Sequence, residues 1–321
     1  MNALTCLARI LLFSVSFIAT AAAQEFPGKP VRIVVPYAAG GGTDTVARLM
    51  AARLSAAFGQ PVVVENKPGA SANIGTEFVA RAPADGYTVL VTAPNFTTSE
   101  ALFDKLAWRF EDFAPVIHLV RYANVLVAAP QSQIGSVDEM IARAKASPGS
   151  LTYGTPGTAS NTHLAIELLK QRVSINIQHV PYKGSGPLKN DLLGGHVPLG
   201  ADGLGGQMDL IKSGKVKALA VLAPKRAALA PDVPSLGDLG IGDVDGTGWY
   251  GALVPAATPA AAVARLHAAF AAALEAAEIR DRLTAIGVEP VGGSGEEFRS
   301  YLLGERRKWA GVIRAAQIKA D

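Results

Sequence analysis

The sequence predicts an α/β protein made of two similar lobes. Three observations predict it. Runs of β-branched residues alternate with segments that repeat apolar residues at helical spacing. Glycine-rich turns stand between a strand and the helix that follows it. The same order of strand, glycine turn, helix and strand then starts again in the second half of the chain.

The chain has 321 residues, of which 49% are hydrophobic and 18% charged. That is enough apolar material for one large or two medium domains. Net charge is +3, with no extended run of Lys or Arg and no basic stripe interleaved with aromatics, so nucleic acid is not an expected partner. The N-terminus reads as an export signal: Arg9, an apolar run from Ile10 to Ala22, and small residues up to Ala23, after which cleavage is expected. Cleavage there removes Cys6, the only cysteine, so disulfides, thiolate metal sites and a cysteine nucleophile are not expected in the mature chain.

The first strand is the β-branched run around Ile33, Val34 and Val35. Gly40, Gly41 and Gly42 turn the chain, and Thr43 or Asp44 is placed to cap the next helix. Val46, Leu49, Met50, Leu54 and Phe58 give that helix its apolar face. Its unpaired N–H groups would point into the turn and make an anion site without Lys or Arg. A tight turn with no ligand has the same composition.

Val62 to Val64 is the second strand, followed by a polar glycine turn from Glu65 to Ser71 and a helix from Asn73 to Arg81. Tyr87 to Thr92 is a third strand, ending in a polar loop from Pro94 to Thr98. Val116 to Leu119 and Val125 to Ala128 are further strands. The pattern restarts at Leu151 to Ser160, with Leu164, Ala165, Leu168 and Leu169 on the helix behind that turn. Ile175 to Val180 is a strand that ends in a Lys-Gly turn, as the second strand does. Gly40 and Lys67 stand 27 residues apart, Gly157 and Lys183 stand 26 apart. Val197 to Ala201 leads to Asp202 at a strand end, Val216 to Leu222 is a strand, and Leu229 to Val244 is rich in turns. Trp249 to Val254 is strand-like, Pro259 opens a helix at its first position, and a last amphipathic helix carries Phe298, Leu302, Trp309 and Ile313.

The expected layout is residues 1–23 as signal, 24–124 with 250–321 as the first lobe, and 125–249 as the second. Two crossovers of this kind make a hinge with a cleft between the lobes. The sequence has neither a phosphate-binding Gly-x-x-x-x-Gly-Lys-Ser/Thr loop nor a Gly-x-Ser-x-Gly elbow. His163 and Glu167 stand four apart, but no third metal ligand has convincing spacing, so no metal is expected. His163 in the first turn behind the second glycine loop can face the cleft. Asp202 can orient a hydroxyl or amine of a ligand, or cap a following helix.

One family shares the set of motifs Val-Pro-Tyr-Ala-Ala-Gly-Gly-Gly-Thr-Asp44, Val-Glu-Asn-Lys-Pro-Gly69, Asn73-Ile-Gly75, Asp85-Gly-Tyr-Thr88, His179-Val-Pro-Tyr-Lys-Gly184, Asp191-Leu-Leu-Gly-Gly195 and Trp249-Tyr-Gly251. Together they resemble the Bug/TctC family, the periplasmic solute receptors of tripartite tricarboxylate transporters. The resemblance implies a type II periplasmic-binding-protein fold, two α/β lobes with a hinge and an interlobe cleft that holds a small organic carboxylate. Carried onto this chain, the ligand loops are Tyr37, Ala38, Gly40, Gly41, Gly42, Thr43 and Asp44 in the first lobe, and Thr155, Gly157, Thr158 and Ser160 in the second. Asn95, His163 and Asp202 complete the expected contacts. The strand before Asp202 departs from the family pattern, reading Pro198-Leu-Gly-Ala and continuing into Gly203-Leu-Gly-Gly206, which removes bulk beside the site.

The expectation is a periplasmic, monomeric receptor that uses no cofactor, does no chemistry, and delivers its ligand to membrane transporter subunits or to a sensor. The rival is an exported α/β enzyme with Asp44, His163 and Asp202 as acid/base groups.

Overall fold

The computed structural model describes residues 26–319. The expected signal and its cleavage after Ala23 lie outside the described residues. Eleven strands and ten α-helices are found among those described. In chain order they are β1 (Val31–Val35), α1 (Gly42–Phe58), β2 (Val62–Asn66), α2 (Asn73–Ala80), β3 (Thr88–Thr92), α3 (Asn95–Leu102), β4 (Phe113–Tyr122) and β5 (Asn124–Ala128). Then come α4 (Val137–Ala146), β6 (Thr152–Thr155), α5 (Asn161–Val173), β7 (Gln178–Pro181), α6 (Ser185–Gly194), β8 (Leu199–Gly203), α7 (Leu204–Lys212) and β9 (Lys217–Val221). The chain ends with β10 (Gly248–Pro255), α8 (Ala260–Glu275), α9 (Ala277–Ala285), β11 (Val288–Gly292) and α10 (Gly295–Ala315).

The strands form two sheets with one design. The first has the order β11-β4-β10-β3-β1-β2 and the second β7-β6-β8-β5-β9. In each, three strands are parallel: β2, β1 and β3 in one, β7, β6 and β8 in the other. Each then continues through an antiparallel strand, β10 or β5, to β4 or β9. The repeated order agrees with the doubled loop pattern in the sequence. The sheets are therefore mixed, because β5, which takes the chain into the second sheet, and β10, which brings it back to the first, both run antiparallel to their neighbours.

Side chains alternate across the first sheet as a period of two requires. Val31, Ile33 and Val35 of β1 and Val89 and Val91 of β3 pack with Met50 and Leu54 of α1 and Leu266 and Phe270 of α8. Val34 and Leu90 face the other way, into an aromatic core with Phe96, Trp108, Phe113, Trp249 and Phe298. In the second sheet Leu126 and Ala128 pack under α4 and α5, while Val125 and Val127 meet Leu188, Leu192 and Leu204 of α6 and α7.

Only Ala123 separates β4 of the first sheet from β5 of the second, and the chain returns through Asp245 to Thr247 into β10. Asn124 ties the two passages together by donating its side-chain amide to the Gly246 carbonyl at 2.7 Å. Gly248 must lack a side chain, since a Cβ there would lie 2.1 Å from the Tyr122 ring.

Four local expectations change. Neither Thr43 nor Asp44 caps α1: the N-cap is Gly41, with no side-chain cap at all. Pro259 is the N-cap residue of α8 and not its first helical residue, because its extended ψ of 136° places it just outside the helix. The stretch after Pro94 is helix α3 rather than loop. The last helix does not serve the first sheet alone. Its first half buries Phe298 and Leu302 there, but Trp309, Val312 and Ile313 pack on Leu164 of α5.

Candidate functional site

A cavity of about 850 Å³ lies between the two sheets, lined by residues of both. Its walls are the turns at the ends of parallel strands, where α/β sheets present their loops and helix starts.

The first wall is the turn from β1 to α1. Gly40 has φ +84°, which only glycine adopts without strain. Gly42 admits no side chain for a different reason: a Cβ would stand 2.5 Å from the Tyr250 hydroxyl. With Gly41 as an uncapped start, the first-turn N–H groups of α1 have no side-chain acceptor. The Asp44 carboxylate points backwards. It accepts the Gly40 N–H at 2.9 Å, Arg48 Nε at 2.9 Å and Asn66 Nδ2 at 2.9 Å. Burial raises its pKa, but these hydrogen bonds and the Arg48 charge outweigh that and hold the carboxyl below its usual range. Asp44 therefore braces the glycine turn from behind.

The second wall is the turn from β6 to α5. Ser160 caps α5 through the His163 N–H at 3.3 Å. Ala159 sits at φ +56°, a left-handed position for a residue with a side chain. Its N–H donates to His163 Nδ1 at 2.9 Å. The His163 ring stacks on His179 at 3.6 Å between centroids, and Thr155 Oγ1 shares a 2.7 Å hydrogen bond with His179 Nε2. Behind them Glu167 accepts from Tyr153 and Lys170, each at 2.6 Å. The loop thus rests on a buried polar cluster.

Ten of the expected contacts line the cavity: Tyr37, Ala38, Gly40, Gly42, Thr43, Asn95, Gly157, Thr158, Ser160 and Asp202. Gly41, Asp44, Thr155 and His163 do not. Gly41 is exposed beside the turn, and the other three lie one layer back, because the polar atoms of Asp44, Thr155 and His163 are turned to the loop backbone. Thr155 donates to the Gly157 carbonyl at 3.0 Å, for example.

The cavity also has walls that the sequence did not announce. Gly69, Ser71 and Ala72 line it from the turn after β2, where Ala70, Ser71 and Ala72 are all left-handed, with φ of 45°, 53° and 78°. Tyr122 and Tyr250 line it from the crossover strands, with their rings 5.0 Å apart. Burial pushes Tyr250 up to about 12, and it raises Tyr37 and Tyr122 as well, so all three phenols stay neutral near pH 7. Ser185, the segment from Gly203 to Gly206 and the turn from Ile286 to Val288 also line it. The Lys-Gly turn holding Ser185 was legible as a motif. The α9–β11 turn carried no signal beyond Gly287. Among the described residues no Lys or Arg lines the cavity, and Asp202 is the one acidic side chain that does.

Comparison with known proteins agrees with this architecture. Residues 46–318 match the model of the tripartite tricarboxylate transporter family receptor, TctC. The chain is 33% identical to Protein BugT of Bordetella pertussis over 97% of this chain and 98% of that one. Among solved structures, Rpa4515 of R. palustris with adipate is 35% identical, with a TM-score of 0.81 over 92% of this chain and 99% of that one. MatC from Rhodopseudomonas palustris with bound malate is 31% identical, with a TM-score of 0.77 over 90% and 100%. The fold is accordingly the two-sheet α/β architecture of TctC-type periplasmic binding proteins. On the family match and the full-length similarity together, the chain belongs to the tripartite tricarboxylate transporter receptor family.

Proposed function

We propose that the protein is a periplasmic solute receptor that binds a small organic carboxylate in this cavity and passes it to membrane subunits of a tripartite tricarboxylate-type transporter. The carrying observation is a cavity shared by two sheets and walled by two glycine loops at helix starts, with no cationic side chain among the described residues that line it. Backbone N–H groups and the field of the first helical turn then supply the attraction for an anion. The lobes are taken as 24–124 with 250–321 and as 125–249, acting as a monomer after cleavage past Ala23. The adipate and malate named for two neighbours support the ligand class.

Receptor rather than enzyme is the reading that the side chains favour. Of the three groups the rival needs as acid or base, Asp44 and His163 face loop backbone, and only Asp202 lines the cavity. The test is isothermal calorimetry with a panel of organic acids and their matching amides. At least one acid should bind, and its amide should not. Gly157→Val should then weaken that acid at least about tenfold while the protein stays folded. Gly157 is not at positive φ, and the nearest atom to a Cβ there is 3.7 Å away, so the side chain has room and projects beside the ligand. Equal binding of acid and amide, or full binding by a folded Gly157→Val, overturns the reading.

A further inference from the structure

Two histidines hold the second glycine loop from behind, and the hydrogen bonds around them fix where their protons sit. Ala159 stands between Thr158 and Ser160, both of which line the cavity, and its φ of +56° costs an L-residue free energy. Its N–H donates to His163 Nδ1 at 2.9 Å. A nitrogen that accepts carries no proton, so His163 is a neutral imidazole with its one proton on Nε2, which faces Glu167 at 3.7 Å. The other half of the loop is held through Thr155. Its hydroxyl gives its one proton to the Gly157 carbonyl at 3.0 Å, so at 2.7 Å it accepts from His179 Nε2–H. The two rings stack at 3.6 Å, and His163 is 5% exposed. Among the described residues the titratable groups that face the pair are Tyr153 of β6 and Glu167 of α5, with Lys170 of α5 joined to them through the Glu167 carboxylate.

We infer that neutral His163 is the positioning residue of this loop, and that ligand affinity falls when His163 takes up a proton. This rests on the carboxylate-receptor reading above. The proton can enter only at Nδ1, because Nε2 already holds one. Two N–H donors then face each other across 2.9 Å, and the ring or Ala159 has to move. Ala159 loses the bond that holds it in its left-handed conformation, and Thr158 and Ser160 move with it. His179 does not act in the same way, since a second proton on its ring leaves the Nε2–H bond to Thr155 in place. Glu167 stays ionised far into acid and faces His163, so an imidazolium there has its counter-charge at hand. The sign follows from the state that the loop requires. Binding needs the neutral ring, so it is complete above the range in which imidazoles titrate and is lost as the pH falls through it.

The experiment is calorimetric titration between about pH 7.5 and about pH 5.5, over which an ordinary imidazole goes from about nine-tenths neutral to about one-tenth. The titrant is the tightest-binding acid of the calorimetric panel, with adipate and malate included in it, and His163→Asn is measured beside the wild type. Asn carries Oδ1 at the branch position of Nδ1, so it can accept from Ala159 at every pH and takes up no proton. The ratio of the two dissociation constants cancels any change in the ligand's own charge. The expected result is that this ratio, wild type over variant, rises about tenfold from the upper pH to the lower. A flat ratio in a folded variant overturns the inference and leaves the carboxylate reading intact. Binding of no acid at either pH overturns both. Nitrogen NMR of the histidine rings in the ligand-free wild type decides even if the variant fails to fold. At the upper pH His163 Nδ1 should be unprotonated and Nε2 protonated, and the Ala159 amide should shift as His163 gains its second proton. A protonated Nδ1 at the upper pH, or an Ala159 amide that does not follow the titration, overturns the inference.

Discussion

Glu167 shows how the second glycine loop is held in place. Burial alone would raise its carboxyl, but hydrogen bonds from His163, Lys170 and Tyr153, with the Lys170 charge, hold it down at about 2 against an ordinary 4.5. A carboxyl depressed in the folded state adds stability that is complete above its ordinary value. That stability is lost as the pH falls toward the depressed value. Glu167→Gln should therefore cost about 3 kcal/mol near pH 7, the scale expected when one member of a buried charged pair is removed. The gap from wild type should close as the pH is lowered through the interval from 4.5 towards 2. Urea unfolding at stepped pH measures it, and a gap that stays constant or widens in acid would show that Glu167 does not contribute through its charge. The same cluster explains why His163 was expected to face the ligand and does not. The sequence places it one turn into α5, but its ring is captured by Ala159 N–H and by stacking on His179. Those contacts are set by the tertiary fold, and spacing along one helix does not encode them.

At the scale of elements, the glycine loops were legible because glycine is required for reasons that hold locally. Gly40 needs a positive φ. Gly42 needs the absence of a side chain, although the Tyr250 hydroxyl that demands it comes from a strand about two hundred residues later and could not be read from spacing. Helix α3 was missed because Pro94-Asn-Phe-Thr-Thr carries turn residues and β-branched threonines, and its burial comes from Phe96 stacking on Trp108. The turn from Gly69 to Ala72 was legible only in part. Gly69 marks it, but three left-handed residues in a row, none of them glycine, leave no sequence signal. Such positions cost about 1–2 kcal/mol each for an L-residue. Ala70 is exposed, so changing it to glycine gives up no buried methyl. Ala70→Gly should then raise stability by about 1 kcal/mol. Gly69→Ala should lower it, because its φ is +126° and its Cβ would meet Ile74 Cδ1 at 2.5 Å. A urea midpoint that falls for Ala70→Gly would mean that the turn is not strained as its φ values indicate.

For the whole molecule, the two sheets share the ligand cavity but are joined at few places. Two chain passages cross between them, at Ala123 and from Asp245 to Thr247, and Asn124 and Asn161 both donate to the Gly246 carbonyl at 2.7 and 2.8 Å. Helix α10 adds a third link. Lys308 Nζ donates to the Asp245 carbonyl at 2.9 Å, and beside it Trp309, Val312 and Ile313 pack on Leu164. These three links lie close to the return passage and form a pivot, while a further contact, Gly205 and Leu229 against the turn at Ile286 and Gly287, closes one side of the cavity. A ligand that touches both walls binds the closed arrangement better and must shift the population toward it. Saturation with an acid from the calorimetric screen should therefore lower the radius of gyration in small-angle scattering, reversibly on ligand removal. Weakening the pivot should act in the opposite direction. Ile313→Ala removes a buried side chain from the α10–α5 contact, at a cost of about 2–4 kcal/mol in stability. It should raise the radius of gyration of the ligand-free protein without touching any residue that lines the cavity. The two measurements separate the pivot from the site: an unchanged curve for saturated wild type counts against closure. A ligand-free Ile313→Ala that scatters like the wild type would assign the hinge to the two strand passages alone.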